Sequence, residues 1–519
     1  MKHLIAIVVL CLFVPSCFAS QKNISLSSPA SSADQGSLQW ALCPSHVGAE
    51  GDQRCAIIRQ PLDHDKPDGR QIDVLLMRVL GKSEKKRGQI WFLNGGPGDS
   101  LDTFSFLMDK WSKTHPEYDY YAMEHRGTGV SAYLSCDNEP SSALCLEELK
   151  REWGDGLGLF NTTQAAHDLA DAMHRVGGDS RRFLYGVSYG TYLVQRFITI
   201  HDSMIQGAIL DGVVPATADE NGLLAIDKYD HDFNELALNI AAQCDNDPIC
   251  SSRLTTFGTD TKAVMQKTFE DIDAGNICKP LKGIITRQSL RNKSAELIGD
   301  YWGRQLYPAL LYRINRCTPS DVEILSTLFQ EDDEPETEDE ILSFSQNLNT
   351  NIIVNELIGG KSLAQAEAEA KTYFASPDET LEQYRSREQT KWPLYPADRY
   401  THEWAETDTP LLIMNGDMDP ATPLAFARQL KSHFNGPHQY LISLPGTPHG
   451  ALFLSLMKDV PMEDADTCGS RLLFSFMDDV TTQPDALCTG NMLPPDFSGS
   501  SKEAQTAAKR FFNSDSVWD

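Results

Sequence analysis

Residues 183–200 read FLYGVSYGTYLVQRFITI and contain a G-x-S-x-G pattern at 186–190. An apolar, strand-like run leads into the pattern, and a helix-like run follows it at residues 191–200. That context predicts a sharp strand-to-helix turn in which Ser188 presents its hydroxyl above the edge of a sheet. The two glycines fit such a turn, since bulky side chains two positions from the serine would collide there. Ser188 is therefore the predicted nucleophile.

Strand-like and helix-like runs alternate through the first part of the chain. The strand-like runs are residues 72–80, 89–93, 118–123, 182–185 and 207–210. Such alternation indicates a mostly parallel sheet with helices on its faces. Several of these runs are short and apolar throughout, as expected for strands that are buried on both faces.

The pattern changes beyond residue 215 to helical, charged sequence with little strand character. Strand character returns at residues 410–414 (PLLIM) and 439–444 (QYLISL). We therefore predict an α/β core that a large helical cap interrupts after the sixth strand. The predicted divisions are a first core part at 38–215, the cap at 216–407, and a second core part with a disulfide-linked C-terminal segment at 408–519.

The N-terminal residues predict export. A short basic start precedes an apolar run at residues 4–14 and small residues that end at Ala19, which is typical of a signal peptide over residues 1–19. A membrane anchor is the weaker interpretation, because a span needs about 20 apolar residues. Another interpretation makes Cys17 the acylated cysteine of a bacterial lipoprotein, but Pro15 is a poor fit to the sequence that precedes such a cysteine. The composition of residues 20–37 predicts a flexible leader. From the signal peptide we expect a secreted or periplasmic protein.

The cysteines support that expectation. The sequence has 12 cysteines, and loss of Cys11 and Cys17 with the signal peptide leaves an even number, which predicts disulfides in an exported chain. Proximity along the chain suggests the pairs Cys43 with Cys55, Cys136 with Cys145, Cys244 with Cys250, Cys278 with Cys317, and Cys468 with Cys488, although spacing does not fix connectivity. None has zinc-site spacing with histidines, so we predict no metal site and no cofactor.

The charge of the chain excludes two classes of partner. The formal net charge is -28, whereas nucleic acids and anionic membrane surfaces are bound by basic patches. No later apolar stretch reaches the length of a membrane span. The acidic run at residues 331–340 (EDDEPETEDE) predicts a solvated loop rather than a site.

A serine nucleophile at neutral pH needs a general base and a carboxylate that orients the base. His449 follows the predicted strand 439–444 within PGTPHG and is the predicted base. Asp417 and Asp419 both follow the strand at 410–414, and only one needs to face the histidine. The G-x-x-D spacing favours Asp419, whereas Asp417 is expected to hydrogen-bond the turn.

The oxyanion that develops during acyl transfer needs two preorganised N–H donors. One is the N–H of the residue after the nucleophile, which is Tyr189. The other is expected in the loop 94–98 (NGGPG), where glycines allow the backbone to approach a substrate oxygen closely. Gly96 is the predicted donor, and an ordinary glycine turn is the alternative interpretation.

Four segments together resemble the prolyl aminopeptidase and tripeptidyl aminopeptidase family of serine peptidases, which are α/β-hydrolases. The loop at 94–98 is similar to that family's H-G-G-P-G, with Asn94 in place of histidine. Residues 124–131 (EHRGTGVS) resemble D-x-R-G-x-G-x-S, and residues 186–193 (GVSYGTYL) are typical of the tripeptidyl branch. The segment 468–497, with its two cysteines and PPDF, resembles the end of that branch.

The resemblance implies an α/β-hydrolase fold and an exopeptidase that releases residues from the free N-terminus of short peptides. It also implies carboxylates that hold the substrate's ammonium group, because burying that cation unpaired is costly. Glu356 ends a segment similar to a C-x-E motif, with Val354 in place of cysteine, and is the first candidate. Glu220, early in the cap, is the second.

Two alternatives stay open at this point. The same fold hosts esterases and other hydrolases of small acyl substrates. An inactive hydrolase fold used as a binding module would predict a broken triad or elbow, whereas this chain has a residue of the required type at every triad position.

Overall fold

The computed structural model describes residues 38–519 except 49–50, 179, 331–336 and 459. The predicted signal peptide, Cys17, the leader at 20–37 and most of the acidic run at 331–340 lie outside the described residues. Every predicted site residue lies within them.

Eight strands form a single sheet. They are β1 (Arg54–Pro61), β2 (Gln71–Leu80), β3 (Gly88–Leu93), β4 (Tyr118–Met123), β5 (Arg182–Val187), β6 (Gly207–Asp211), β7 (Leu411–Gly416) and β8 (Gln439–Leu444). Their order is β1-β2-β4-β3-β5-β6-β7-β8. β2 pairs antiparallel with both of its neighbours, β1 and β4. The other pairs of the sheet, which are β4 with β3, β3 with β5, β5 with β6, β6 with β7 and β7 with β8, are parallel. The predicted α/β-hydrolase fold is confirmed.

The helices fall into three sets along the chain. Those of the first part are α1 (Asp102–Thr114), α2 (Ala143–Trp153), α3 (Thr162–Val176) and α4 (Tyr189–His201). Those between β6 and β7 are α5 (Tyr229–Asn246), α6 (Pro248–Leu254), α7 (Thr261–Asp273), α8 (Arg287–Gly299), α9 (Tyr307–Arg316), α10 (Pro319–Leu328), α11 (Glu338–Ser343), α12 (Gln346–Ile352), α13 (Leu363–Ala370) and α14 (Glu379–Arg385). The last set is α15 (Leu424–His433), α16 (Ala451–Leu454), α17 (Cys468–Asp478) and α18 (Lys502–Phe512).

The central strands are apolar because helices cover both faces of the sheet. Every residue of β3, β6 and β7 is buried. On one face Leu184 packs in a cluster with Leu169 of α3 and Val194 of α4. On the other, Ile209 packs in a cluster with Trp111 of α1 and Phe476 of α17. The edge strand β1, which alternates buried and exposed residues, is the strand that the sequence patterns did not predict.

The cap has its own hydrophobic core, in which Phe233, Phe269 and Leu310 from α5, α7 and α9 are buried together. Phe512 and Trp518 from the C-terminal end belong to the same cluster. The predicted domain boundaries stay a prediction, but α18 and the residues after it pack on the cap helices rather than on the sheet.

The cap is also tied to the loop after β3. The N–H of Ser100 donates to the carbonyl of Ser343 (2.8 Å), and the N–H of Ser345 donates to the carbonyl of Gly98 (2.9 Å). These backbone bonds fix the cap directly over the loop that was predicted to stabilise the oxyanion.

Two further features bear on the compartment in which the chain works. All five predicted cysteine pairs lie at disulfide distance. Of the helices that the structure describes, none is both long and apolar enough for a bilayer crossing. The disulfides are those expected of a protein in an oxidising environment.

Candidate active site

Ser188 occupies the predicted turn between β5 and α4, with φ 57° and ψ -127°. A non-glycine residue in this region of φ costs on the order of 1–3 kcal/mol, which the surrounding structure must offset. A Cβ at Gly190 would lie 2.4 Å from the carbonyl oxygen of Leu93, and one at Gly186 would lie 2.4 Å from that of Gly190. A larger residue would therefore collide with the backbone at either glycine of the pattern.

His449 and Asp419 meet at the carboxyl ends of β8 and β7. The His449 Nδ1 lies 2.9 Å from Asp419 Oδ2, and the Asp419 side chain is 1% exposed. Its carboxylate also accepts hydrogen bonds from the N–H groups of Ala421 and Thr422, both at 2.9 Å. A carboxylate at Nδ1 holds the proton on that nitrogen, which leaves Nε2 as the basic nitrogen of the ring.

The surroundings of His449 favour its charged form. Burial alone would lower its pKa, but the negative charge of Asp419 and the hydrogen bond to it outweigh burial and raise the pKa. The charges of Asp211 and Asp99 act in the same direction. An imidazolium formed at this position is therefore stabilised.

Asp417 occupies different surroundings from Asp419. It is exposed, and its Oδ1 accepts a hydrogen bond of 2.7 Å from the N–H of Gly446. Asp417 thus links the loop after β7 to the loop after β8, whereas Asp419 makes the hydrogen bond to His449.

Ser188 and His449 are both close to the end of β6. The N–H of Ser188 donates to the carbonyl of Asp211 (2.9 Å), and a Cβ at the next residue, Gly212, would lie 3.0 Å from His449 Cε1. Within the described residues the Ser188 hydroxyl has no hydrogen bond to His449. Such contacts often tighten only when substrate binds.

The loop after β3 lies against the nucleophile. A Cβ at Gly95 would be 2.8 Å from the Cβ of Ser188. The N–H of Gly95 donates to the Asn94 side chain (2.9 Å), and the Asn94 amide in turn donates to the carbonyl of Ser100 (2.5 Å). Gly96 has φ 97°, and in the described part of the chain its N–H has no hydrogen-bond acceptor. The geometry thus leaves that donor available to a substrate oxygen.

Similarity to known proteins points to one family. A family described as TAP-like protein matches residues 378–456, which include Asp419 and His449. The tripeptidyl aminopeptidase of Streptomyces lividans is 26% identical over 285 residues, which cover 49% of this chain and 52% of that protein. The chain is related to the tripeptidyl aminopeptidase-like α/β-hydrolases.

Other similar proteins include serine protease Hip1 of Mycobacterium tuberculosis, which is 24% identical over 251 residues, 41% of this chain and 46% of that protein. The chain thus spans about half the length of the curated relatives it matches. A solved structure of a soluble variant of monoglyceride lipase from Saccharomyces cerevisiae has a TM-score of 0.34 and 13% identity, covering 82% of this chain and 95% of that one.

Two residues of the candidate site were missed from the sequence. The buried carboxylate of Asp211, at the end of β6, accepts hydrogen bonds from the N–H groups of Ala451 (2.8 Å) and Leu452 (2.7 Å). It therefore holds the first turn of α16, two residues beyond His449. The hydroxyl of Thr422 lies 2.7 Å from Asp419 Oδ2 and 3.0 Å from His449 Nδ1. The position of Asp211 at the end of an apolar strand is the signal that could have identified it.

Glu356, the first candidate for the ammonium group, is 1% exposed. Its carboxylate accepts hydrogen bonds from the Tyr395 hydroxyl (2.8 Å) and the N–H of Thr162 (3.2 Å). It also pairs with the guanidinium of Arg196 at 3.5 Å. Glu220, the second candidate, is exposed. The two predicted carboxylates thus lie in different surroundings, and the charge of Glu356 is already compensated.

Proposed function

We propose that the chain is an exported serine peptidase that hydrolyses peptide bonds near the free N-terminus of short peptides. The observation that carries the proposal is the 2.9 Å contact between His449 and Asp419, beside a serine in a strained strand-to-helix turn. The similarity to a tripeptidyl aminopeptidase and to a serine protease supports peptides as substrates.

In the proposed mechanism His449 Nε2 accepts the proton of Ser188 Oγ as that oxygen attacks the carbonyl carbon of the scissile bond. Asp419 stabilises the imidazolium that forms. The imidazolium then donates its proton to the leaving amine, and the substrate stays bound to Ser188 as an ester. A water molecule attacks the ester with His449 again as the base, and release of the acid product restores the serine.

The oxyanion of each tetrahedral intermediate would accept hydrogen bonds from the N–H groups of Gly96 and Tyr189. Each such donor contributes about 100- to 1000-fold to kcat. The close approach of Gly95 to Ser188 supports this assignment, because it places the loop within reach of the reacting carbonyl.

Export is the other part of the proposal. Five cysteine pairs at disulfide distance support an oxidising compartment. The signal peptide over residues 1–19 would direct the chain there.

Mass spectrometry of the products from a mixed peptide library tests the proposal, with each peptide supplied free and N-acetylated. We expect short N-terminal fragments from the free peptides, and no products from a Ser188→Ala variant. Turnover of simple esters without cleavage of any peptide would favour the esterase alternative. Equal cleavage of free and acetylated peptides would contradict recognition of the N-terminus.

A further inference from the structure

The side chain of Tyr189 is buried beside the candidate site, although the proposed mechanism uses only the N–H of that residue. Tyr189 is 2% exposed. Its phenol oxygen lies 3.1 Å from His125 Nε2 and 2.9 Å from Thr162 Oγ1. The residue that follows the nucleophile is therefore held at two points, one in the loop after β4 and one at the start of α3.

The proton on the His125 ring has a defined position. His125 Nδ1 lies 2.7 Å from the carbonyl oxygen of Arg126, and a carbonyl only accepts, so Nδ1 carries the proton. Burial lowers the pKa of His125 to about 4, although the hydrogen bond to Arg126 opposes that effect. The ring is therefore neutral near pH 7, and its Nε2 accepts a hydrogen bond from the Tyr189 hydroxyl.

The Tyr189 phenol keeps its proton. Burial raises its pKa well above the usual value, and the charge of Glu356 adds to the effect. The phenol donates to His125, so its oxygen accepts from the Thr162 hydroxyl. Thr162 is itself held by Glu356, whose Oε1 accepts its backbone N–H at 3.2 Å. Each bond of this network thus has a defined donor and acceptor.

The next residue along the chain anchors the His125 ring. The Arg126 guanidinium is fully buried and contacts both carboxylate oxygens of Asp168 at 2.7 Å. It also donates to the carbonyls of Leu62 (2.7 Å) and Leu159 (3.0 Å). Because these bonds limit the movement of Arg126, they also limit the movement of the carbonyl that orients the His125 ring.

The position of the phenol affects the backbone, because Tyr189 is the first residue of α4. The first N–H groups of a helix have no acceptor within the helix, so the Tyr189 N–H is available to a substrate oxygen. The side chain on the same Cα cannot move without breaking its bonds to His125 and Thr162. A displacement of about 1 Å at a reacting centre can cost roughly 100-fold in rate. The two contacts of the phenol thus restrict a donor that the oxyanion needs.

We propose that His125 is a positioning residue, which holds the Tyr189 phenol and thereby keeps the Tyr189 N–H directed at the oxyanion. The proposal rests on the proposed function, in which that N–H stabilises each tetrahedral intermediate. His125 stands at a position that the motif D-x-R-G-x-G-x-S leaves open. Its contact with the phenol is therefore a feature of this chain rather than of the motif.

Two substitutions separate the two bonds of the His125 ring. In His125→Asn the short amide can still donate to the Arg126 carbonyl but does not reach Tyr189, whereas in His125→Gln the longer side chain presents an acceptor oxygen to the phenol. We expect His125→Asn to lower kcat roughly 10- to 100-fold with less than about a twofold change in KM, because only the transition state uses the oxyanion donors fully. His125→Gln should keep kcat close to that of the parent. Steady-state kinetics on one tripeptide 4-nitroanilide measure both constants.

A double-mutant cycle shows whether His125 acts through the phenol. Tyr189→Phe removes the hydroxyl and should lower kcat by a similar factor. If both residues act through one hydrogen bond, adding His125→Asn to Tyr189→Phe causes little further loss. Losses that multiply in the double variant would overturn the proposal. Parent-like kcat in His125→Asn, or equal losses in His125→Asn and His125→Gln, would also overturn it.

His201→Asn is the matched control, because it removes another imidazole between α3 and α4. His201 Nε2 lies 3.1 Å from His167 Nδ1 at the opposite end of α4 from the nucleophile. We expect this variant to have a lower Tm in thermal unfolding but an unchanged kcat per folded molecule. A loss of kcat as large as that in His125→Asn would show that loosening of the two helices controls the rate, and the proposal would be wrong.

Inhibition by a peptide aldehyde gives a readout that a purely structural role would not change. Ser188 Oγ adds to the aldehyde carbon, the serine proton passes to His449, and the oxyanion of the hemiacetal occupies the oxyanion hole. We expect the Ki of the aldehyde to rise in His125→Asn by about the factor by which kcat falls. The Ki of the corresponding peptide alcohol, which forms no adduct, should stay the same.

The outcomes of this measurement separate the two proposals. An unchanged aldehyde Ki in His125→Asn would overturn the positioning role, while inhibition of the parent still supported Ser188 as the nucleophile. A folded parent protein that the aldehyde does not inhibit and that cleaves no acyl substrate would instead refute the proposed function, and the positioning role with it.

Discussion

The loops after β7 and β8 and the inner face of the cap both supply carboxylates near the cleft, but they hold them differently. Asp419 accepts backbone hydrogen bonds from residues two and three positions away. Glu356 accepts from Tyr395 and Thr162, which are 39 and 194 residues away. The loops build their part of the site from local sequence, whereas the cap builds its part from long-range packing.

The largest expected effect tests the loop side of this comparison. Ser188→Ala should lower kcat by a factor on the order of 10⁶, because the nucleophile and its base act as a unit. The Ser188→Ala variant should remain folded, which a cooperative thermal unfolding transition would show. Substantial remaining turnover of peptide amides would show that another group carries the chemistry.

Substitution of two neighbouring aspartates tests which of them is the triad acid. Asp419→Asn should lower kcat about 10⁴-fold, since the amide cannot hold the His449 tautomer. Asp417→Asn, which alters the contact with Gly446 and leaves the His449–Asp419 hydrogen bond in place, should retain nearly all activity. Steady-state kinetics on one peptide amide compare the two variants, and equal losses in both would contradict the assignment of the triad acid.

Glu356→Gln tests the cap side. Breaking a buried ion pair typically costs 3–5 kcal/mol. We expect the free energy of unfolding to fall by about 3 kcal/mol, at the lower end of that range. The reason is that Asp398 lies 3.8 Å from Arg196 and still compensates part of the guanidinium charge. Denaturant unfolding measures this loss. If stability were unchanged while KM rose for peptides with a free N-terminus alone, Glu356 would be an amine-binding residue after all.

The smallest expected effect is a pH dependence of stability. Because the pKa of Asp99 is raised to about 7, its neutral form is favoured in the folded chain. Its stabilising contribution is complete below pH 4 and is lost as the pH rises through 7. The Tm of Asp99→Asn relative to the parent should therefore increase between pH 5 and pH 8, in thermal unfolding followed by circular dichroism. A difference in Tm that does not change with pH would indicate that the surroundings of Asp99 do not raise its pKa.

Residues with local signals could be predicted from the sequence. The glycines around Ser188, the order of Asp419 and His449, and the alternation of strands and helices all follow from patterns a few residues long. The α/β-hydrolase fold was therefore predicted correctly, and the predicted triad positions lie at the ends of β5, β7 and β8.

Residues whose surroundings depend on distant segments could not be predicted. Asp211 was missed because its partners, Ala451 and Leu452, are 240 and 241 residues away. The packing of Trp518 on the cap has no local signal either. The sequence likewise does not reveal that Arg196 compensates Glu356, or that the Asp99 carboxylate has no ionic or hydrogen-bonding partner among the described residues.

The most direct test of the central claim is intact-protein mass spectrometry after incubation with a peptidyl phosphonate that reacts with activated serines. We expect one adduct per chain, located at Ser188, and no adduct in Ser188→Ala. A folded parent protein that forms no adduct, or an equal adduct in Ser188→Ala, would contradict it.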